Sequence, residues 1–158
     1  RKIILTGEKN KFTKTTDALL YLAARNEHIQ KTLKPAFLSN KIIICDRFID
    51  STIAYQVYGK KVSKSLVAKV HEVILGRFKP DLTFVLTVNI KKAFLRLKKR
   101  GKKNRYDKFS KQFYLKAQNA FIQIAKKNKK KYVLLDNSHD STDTEIFIFK
   151  TFLKALNR

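Results

Sequence analysis

The chain has 158 residues, 44% of them hydrophobic, and sets 36 Lys+Arg against 12 Asp+Glu, a formal net charge of +24. That length suits one ordinary domain, residues 1–158, with a core of its own. No apolar stretch approaches the roughly 20 residues of a membrane-spanning helix, and no signal peptide stands at the N-terminus. The single cysteine, Cys45, provides neither a disulfide framework nor a metal cluster. It reads as a small buried hydrophobe and leaves a reducing cytoplasm as the default compartment. The charge excess attracts polyanions, but it is mostly lysine and lacks the interleaved aromatics of a nucleic-acid groove. A solvated basic surface is expected, with only non-specific, salt-dependent nucleic-acid binding. The chain opens on Arg1 and contains no methionine, which reads as part of a longer polypeptide.

Ile3, Ile4 and Leu5 form a short apolar run, followed by a polar stretch over 6–16. Asp17 can cap or charge a helix start. From 18 to about 37, Leu19, Leu20, Leu22, Ala23, Ile29, Leu33 and Phe37 make a helical stripe, with Pro35 near its end. The unalternated run Ile42-Ile43-Ile44-Cys45 predicts a strand buried on both faces. A turn at Asp46-Arg47-Phe48 and a helix through Tyr55 follow, ended by Gly59. Residues 62–77 predict an amphipathic helix with Ser63 as cap and Gly76 near its end. Residues 82–88 predict a second buried strand, 90–100 a helix stopped by Gly101, 107–127 a long helix, 132–135 a third strand and 145–156 a closing helix. Alternating strands and helices imply a parallel sheet between helices.

In such a sheet, ligands bind beyond the carboxyl ends of the strands. Asp46 and Arg47 stand at such an end. A carboxylate there can hold a hydrated cation, and a guanidinium can grip a phosphate bidentately. Ser51, Thr52, Tyr55 and Gln56 follow at one-turn spacing and can line a pocket with hydroxyls and an amide. Tyr21 and Arg25, at i and i+4, share a helix face: a ring to stack on a pyrimidine beside a guanidinium to donate to a base carbonyl. Arg96, Arg100 and Arg105 lie in a basic stretch poor in apolar residues and interrupted by Gly101. His28, His71 and His139 share no ligand spacing.

DRFIDSTIAYQ (46–56) resembles the DR(Y/F)xxSxxAYQ segment of thymidylate kinases, and YLAAR (21–25) resembles their thymine-binding helix. KPDLTFVLTV (79–88) and RLKKRGKKNRYD (96–107) are similar to two further family stretches, in order and spacing. The resemblance implies a P-loop NTPase-like three-layer α/β sandwich with a parallel sheet. It implies transfer of the γ-phosphate of ATP to dTMP with Mg²⁺, in the cytoplasm, by a homodimer. It assigns phosphate contact to Arg47, ordering of the Mg²⁺ to Asp46, and the nucleoside pocket to Tyr21, Arg25, Ser51, Thr52, Tyr55 and Gln56. A lid at about 96–107 would bring Arg100 and Arg105 to the transferring group, and Arg96, Asn137 and Ser138 would lie along the ATP. Thr87 stands where relatives often carry Asp.

The phosphate-binding loop, GxxxxGK[ST], is not present. The stretch 7–15 has a superficial likeness, but Phe12 occupies the second glycine position and Lys14 falls one place late. The family's N-terminal strand, P-loop and helix are therefore expected to lie outside this chain. Three alternatives remain open: an inactive or partial kinase remnant, a kinase of the same fold with another small-molecule acceptor, and a basic nucleic-acid-binding protein.

Overall fold

The computed structural model describes residues 2–76, 78–101, 104–139 and 141–157. A short helix α1 (Lys2–Leu5) precedes α2 (Lys14–His28), which continues through a π turn (Ile29–Leu33) into α3 (Lys34–Leu38). Pro35 lies in the first turn of α3. A proline ring crowds the carbonyl four residues earlier, and the wider π turn lets the helix pass through it. Helix α4 (Ile49–Thr52) runs into a second π segment, Ile53–Gly59, and α5 spans Lys64–Leu75. Strand β1 (Thr83–Thr87), helix α6 (Ile90–Lys99), a 3-10 turn (Arg105–Lys108), helix α7 (Lys111–Lys127), strand β2 (Tyr132–Asp136) and helix α8 (Thr142–Leu156) complete the order.

Two compact units emerge, Arg1–Lys79 with Lys103–Ala117, and Pro80–Lys102 with Gln118–Arg158. In the first, Ala18, Val62 and Val67 form one buried cluster. Ile29, Leu33 and Leu75 form another, with Ile43, Phe48, Ile49, Ile74 and Phe78 packed against it. Caps set the helix boundaries. The Thr13 hydroxyl accepts from the Thr16 amide at 3.2 Å to start α2, so Asp17 is not the cap it could have been. Ser63 starts α5 in the expected way, accepting from the Leu66 amide. Gly76 ends it at φ 53°, in the region where glycine avoids the Cβ clash.

The second unit holds a two-stranded parallel sheet, with Thr83 opposite Tyr132 and Thr87 opposite Asp136. Parallel strands need a long crossover, here provided by α6 and α7. The side chains of Val85, Ala120 and Ala125 are buried. Both strands match the sequence expectation to within a residue or two.

Two expectations are corrected. Residues 41–45 carry no regular secondary structure and pair with no strand among the described residues. Ile42 and Ile44 are 62% and 87% exposed, while Ile43 packs on the second cluster. Exposure alternates from Ile42 to Cys45, so without flanking strands only one side of the segment is covered. Cys45 is accordingly half-buried rather than buried. The long helix expected from 107 instead begins at Lys111, because Arg105–Lys108 forms a separate 3-10 turn closed by a capping box between Asn104 and Asp107.

Gly59 is a site of close approach. A Cβ there would stand 2.5 Å from Cε2 of Phe113, itself buried. Gly59→Ala is therefore expected to lower unfolding stability by about 1–3 kcal/mol, the usual cost of overpacking. A urea unfolding midpoint shifted to lower concentration, with unchanged slope, is the check; an unchanged midpoint would show that the ring yields freely.

Candidate active site

The DR turn is built by Arg25. Its Nη1 donates to the Arg47 carbonyl and its Nη2 to the Phe48 carbonyl, both at 2.9 Å, and its guanidinium lies 5.0 Å from the Phe48 ring centre. A planar fork suits two adjacent carbonyls. Burial pulls the Arg25 pKa below its ordinary value, partly offset by Cys45 and Asp50. Arg47 takes a left-handed conformation, φ 66°, which a non-glycine residue adopts only at a cost when its surroundings hold it. Its side chain folds back: Nη1 donates to the Tyr55 hydroxyl at 3.2 Å, and the guanidinium sits 5.4 Å from the centre of that ring. Asp46 is exposed beside it.

Behind the turn lies an ionic centre on Asp17, whose side chain is wholly buried. Lys60 Nζ pairs with Oδ2 at 2.7 Å, Arg105 Nη2 pairs with Oδ1, and the Tyr106 hydroxyl donates to Oδ2 at 2.8 Å. Burial works against the carboxylate's charge, but the bonds from Lys60, Arg105 and Tyr106 outweigh it and hold the pKa below the ordinary value. The Tyr106 oxygen in turn accepts from Gln56 Nε2 at 2.9 Å. The Tyr106 ring meets Tyr21 edge-on at 5.9 Å and Tyr55 at 6.0 Å. Burial raises the Tyr106 pKa far above that of a free phenol, with Tyr21 and Asp17 adding to it. Thr52 is buried and Ser51 half-buried on the same helical segment.

The first unit thus gathers six expected residues, Tyr21, Arg25, Arg47, Thr52, Tyr55 and Gln56, close to one another. Arg105 is placed differently from the expectation. Its side chain is fully buried and committed to Asp17, and its guanidinium lies over the Phe12 and Tyr106 rings. In that position its Nε and Nη1 stay buried without a hydrogen-bond partner among the described residues, so the pair to Asp17 leaves donors unused. Asp17, Lys60 and Tyr106 carried no site assignment in the sequence. A signal existed: Asp17, Tyr21 and Arg25 are spaced i, i+4, i+8 and share one helix face, and Tyr106 follows Arg105 directly.

In the stretch 7–15, Lys11 Nζ donates to the Ile3 carbonyl and Lys14 Nζ to the Lys61 carbonyl.

In the second unit, Arg96 Nη2 donates to the Asn137 carbonyl at 3.2 Å. The Ser138 hydroxyl bonds to Asp136 Oδ1 and accepts from the Asn89 amide, and Ser138 holds the Asp136 carboxyl below the usual range. Lys92, Leu95, Arg96, Lys99, Ser138 and His139 line an open cleft of about 420 Å³. Arg100 is exposed at the end of α6. Thr87 donates its hydroxyl to the Leu135 carbonyl. Of the expected lid, Lys102 and Lys103 lie outside the described residues. Among the described residues no three His, Cys, Asp or Glu side chains gather as a metal cage, and no helix is long and apolar enough to cross a membrane.

A helix-borne aromatic and guanidinium stand beside an Asp-Arg turn on an α/β framework, and comparison with known proteins puts the chain among nucleotide phosphotransferases. The thymidylate kinase family model matches residues 1–148. A thymidylate kinase of Mycoplasma capricolum is 38% identical over 158 residues, covering 99% of this chain and 74% of the relative. One from Geotalea uraniireducens is 33% identical over 162 residues, covering 99% and 76%. The crystal structure of thymidylate kinase from Ehrlichia chaffeensis superposes with a TM-score of 0.68 at 30% identity, over 93% of this chain and 68% of that one. The chain belongs to the thymidylate kinase family and has the family's P-loop NTPase fold.

The Asp17 centre makes a pH prediction. A carboxylate with a depressed pKa contributes stability that is present above its unfolded value and lost as pH falls through its folded value. Thermal stability should hold above the ordinary carboxylate value of 3.8 and decline below it. Asp17→Asn should flatten that limb and lower the melting temperature throughout. A wild-type acid limb retained in Asp17→Asn would assign the transition to another group.

Proposed function

We propose that the protein transfers the γ-phosphoryl group of ATP to dTMP, giving dTDP. The observation that carries this reading is the meeting of Arg25 and Tyr55 at the Arg47 turn, with Tyr21, Tyr55 and Gln56 joined beside it through Tyr106, in a chain of the thymidylate kinase family. A phosphate monoester has a second pKa near 6, so the acceptor is largely ionised at neutral pH, and no general base is needed. The work is charge neutralisation and in-line positioning.

Arg47 is the phosphate contact. Its guanidinium rests on Tyr55 through one hydrogen bond and a ring face, both exchangeable for the stronger charge-assisted bonds a phosphate offers. Tyr21 stacks on the base. Arg25, while holding the DR turn, keeps donors beyond the two it uses, for a base carbonyl. Tyr55 crowds the sugar, and Ser51, Thr52 and Gln56 supply polar contacts. In the second unit, Arg96, Asn137, Ser138 and the lysines of the basic cleft bind ATP, and Arg100 meets its phosphates.

Mg²⁺ usually binds through one or two carboxylates plus substrate phosphates and water. The single exposed carboxylate of Asp46 fits that pattern where a closed cage would not. When bound, the ion would neutralise phosphate charge. The same reading carries a homodimer, checked by sedimentation, and a cytoplasmic location, checked by fractionation.

In the intact protein, a panel of dTMP, dUMP, dCMP and dGMP with Mg-ATP should show dTMP preferred. Arg47→Ala should lower kcat by about a hundredfold or more, as for loss of a charged transition-state contact. Turnover near wild type in Arg47→Ala would remove that residue from the mechanism. Equal use of all four nucleotides would replace dTMP by a broader acceptor class.

A further inference from the structure

We infer that Asp17 is a positioning residue for base discrimination, acting through Tyr106 on the side-chain amide of Gln56. The inference rests on the dTMP pocket proposed above and adds two residues to it that do not themselves contact the nucleotide.

The geometry fixes the direction of each hydrogen bond. Asp17 Oδ2 is a carboxylate oxygen held ionised by two cations, so it can only accept. The Tyr106 hydroxyl, 2.8 Å away, has one proton and gives it to Asp17. Its oxygen is then left as an acceptor toward the Tyr21 hydroxyl and toward Gln56, whose side chain is buried and stands 2.9 Å off. Gln56 must therefore turn its NH₂ end to Tyr106, which settles where its carbonyl end lies. A primary amide has opposite hydrogen-bond character at its two ends. Reversing it would exchange a donor for an acceptor at any base edge it meets. Thymine carries an N–H at ring position 3 and cytosine a bare nitrogen, so the two bases ask for opposite partners at that place. One buried negative charge thus sets the polarity of a group two hydrogen bonds away.

The rest of the cluster holds this chain rigid. Lys60 lies 4.8 Å from the Tyr106 ring centre and 4.9 Å from that of Phe109. Phe109 stacks on Tyr106 at 5.3 Å, and the Tyr114 hydroxyl donates to the Tyr106 carbonyl at 2.9 Å. Tyr106 is clamped on its ring and its backbone, so removal of its hydroxyl alone leaves the ring in place.

Tyr106→Phe is accordingly the informative variant, because it cuts the chain and leaves the ion pairs of Asp17 intact. In the intact protein with Mg-ATP, the ratio of kcat/KM for dTMP to that for dCMP should fall by about tenfold, the value of one buried hydrogen bond of about 1.4 kcal/mol. The KM for ATP should stay within about twofold, while the melting temperature should fall modestly, since the buried hydrogen bonds of the hydroxyl are lost. Asp17→Asn should erode the same ratio, and the double variant should do so no further, since both act on one path. Calorimetric binding of dTMP and dCMP gives the same comparison without turnover. A ratio unchanged within about twofold in Tyr106→Phe, or additive effects in the double variant, overturns the inference. A loss that is equal for both nucleotides overturns it too, because general loosening of the pocket would do that. Should the wild type neither bind nor phosphorylate dTMP, the proposed function falls and this inference with it; a working wild type with an indifferent Tyr106→Phe removes only the inference.

Discussion

One buried carboxylate organises the first unit. Asp17 lies on α2, Lys60 just past the second π segment and Arg105 in the 3-10 turn, so its two ion pairs join positions 43 and 88 residues apart. An isolated ion in a protein interior is prohibitively costly, and paired charges persist there only with good geometry and further hydrogen bonds. Asp17 has both, from two cations and a phenol. The converse also holds. Removal of the carboxylate would leave two cations facing each other in the interior, which destabilises far more than the loss of an apolar side chain. The pocket residues Tyr21 and Gln56 reach this centre through Tyr106, so the site's shape and the unit's cohesion share a single source.

Arg25 shows the same economy of means. A guanidinium assigned by sequence to the substrate also holds the backbone that displays the phosphate-binding Arg47. The left-handed conformation of Arg47 is over-determined by those two bonds, as strain at functional positions generally must be. Substitution of Arg25 would thus disturb the phosphate contact through the backbone as well as the base contact directly. An effect on kcat from a base-binding position would follow without Arg25 touching the transferring group.

The sequence made the strand–helix order of the second unit legible because β1 and β2 pair with each other within the chain and Asn89 caps α6. The run at 42–45 misled for a definable reason. Its composition reports what a strand prefers as neighbours, and an unalternated apolar run says both faces want covering; it does not say whether the covering elements lie within the same stretch of polypeptide. The proximity of the site residues was legible at Tyr21 and Arg25 because helical spacing puts them on one face of α2, and at Arg47 because Asp46-Arg47 directly follows the apolar run at 42–45. The burial of Arg105 was not legible, because a basic stretch gives no hint of which cation turns inward. Burial of a charge depends on a counterion 88 residues away, and no local pattern carries that information. Asp17 was read as a helix-start residue for the same reason: an acid near a helix N-terminus is favourable in any case, which conceals a long-range role.

The imbalance of charge explains a feature common to all the cations of the first-unit site. With 36 basic residues and 12 acidic ones, carboxylates are too scarce to partner every buried cation. Asp17 already serves two, and Arg105 Nε and Nη1 remain buried without a hydrogen-bond partner among the described residues. Aromatic faces take the place of the missing anions. Arg25 lies over Phe48, Arg47 over Tyr55, Arg105 over Phe12 and Tyr106, and Lys60 over Tyr106 and Phe109. Such contacts contribute about 0.5–2 kcal/mol each, depending on desolvation. They differ from ion pairs in one respect that matters for phosphoryl transfer: a ring steadies a guanidinium without neutralising it. Arg47 on Tyr55 keeps its full positive charge for a phosphate, whereas the same residue locked to a carboxylate would have to break an ion pair before binding. The twelve phenylalanines and six tyrosines of this chain therefore do more than fill a core. They let a strongly basic protein store cations at its binding site in a form that an anionic substrate can use.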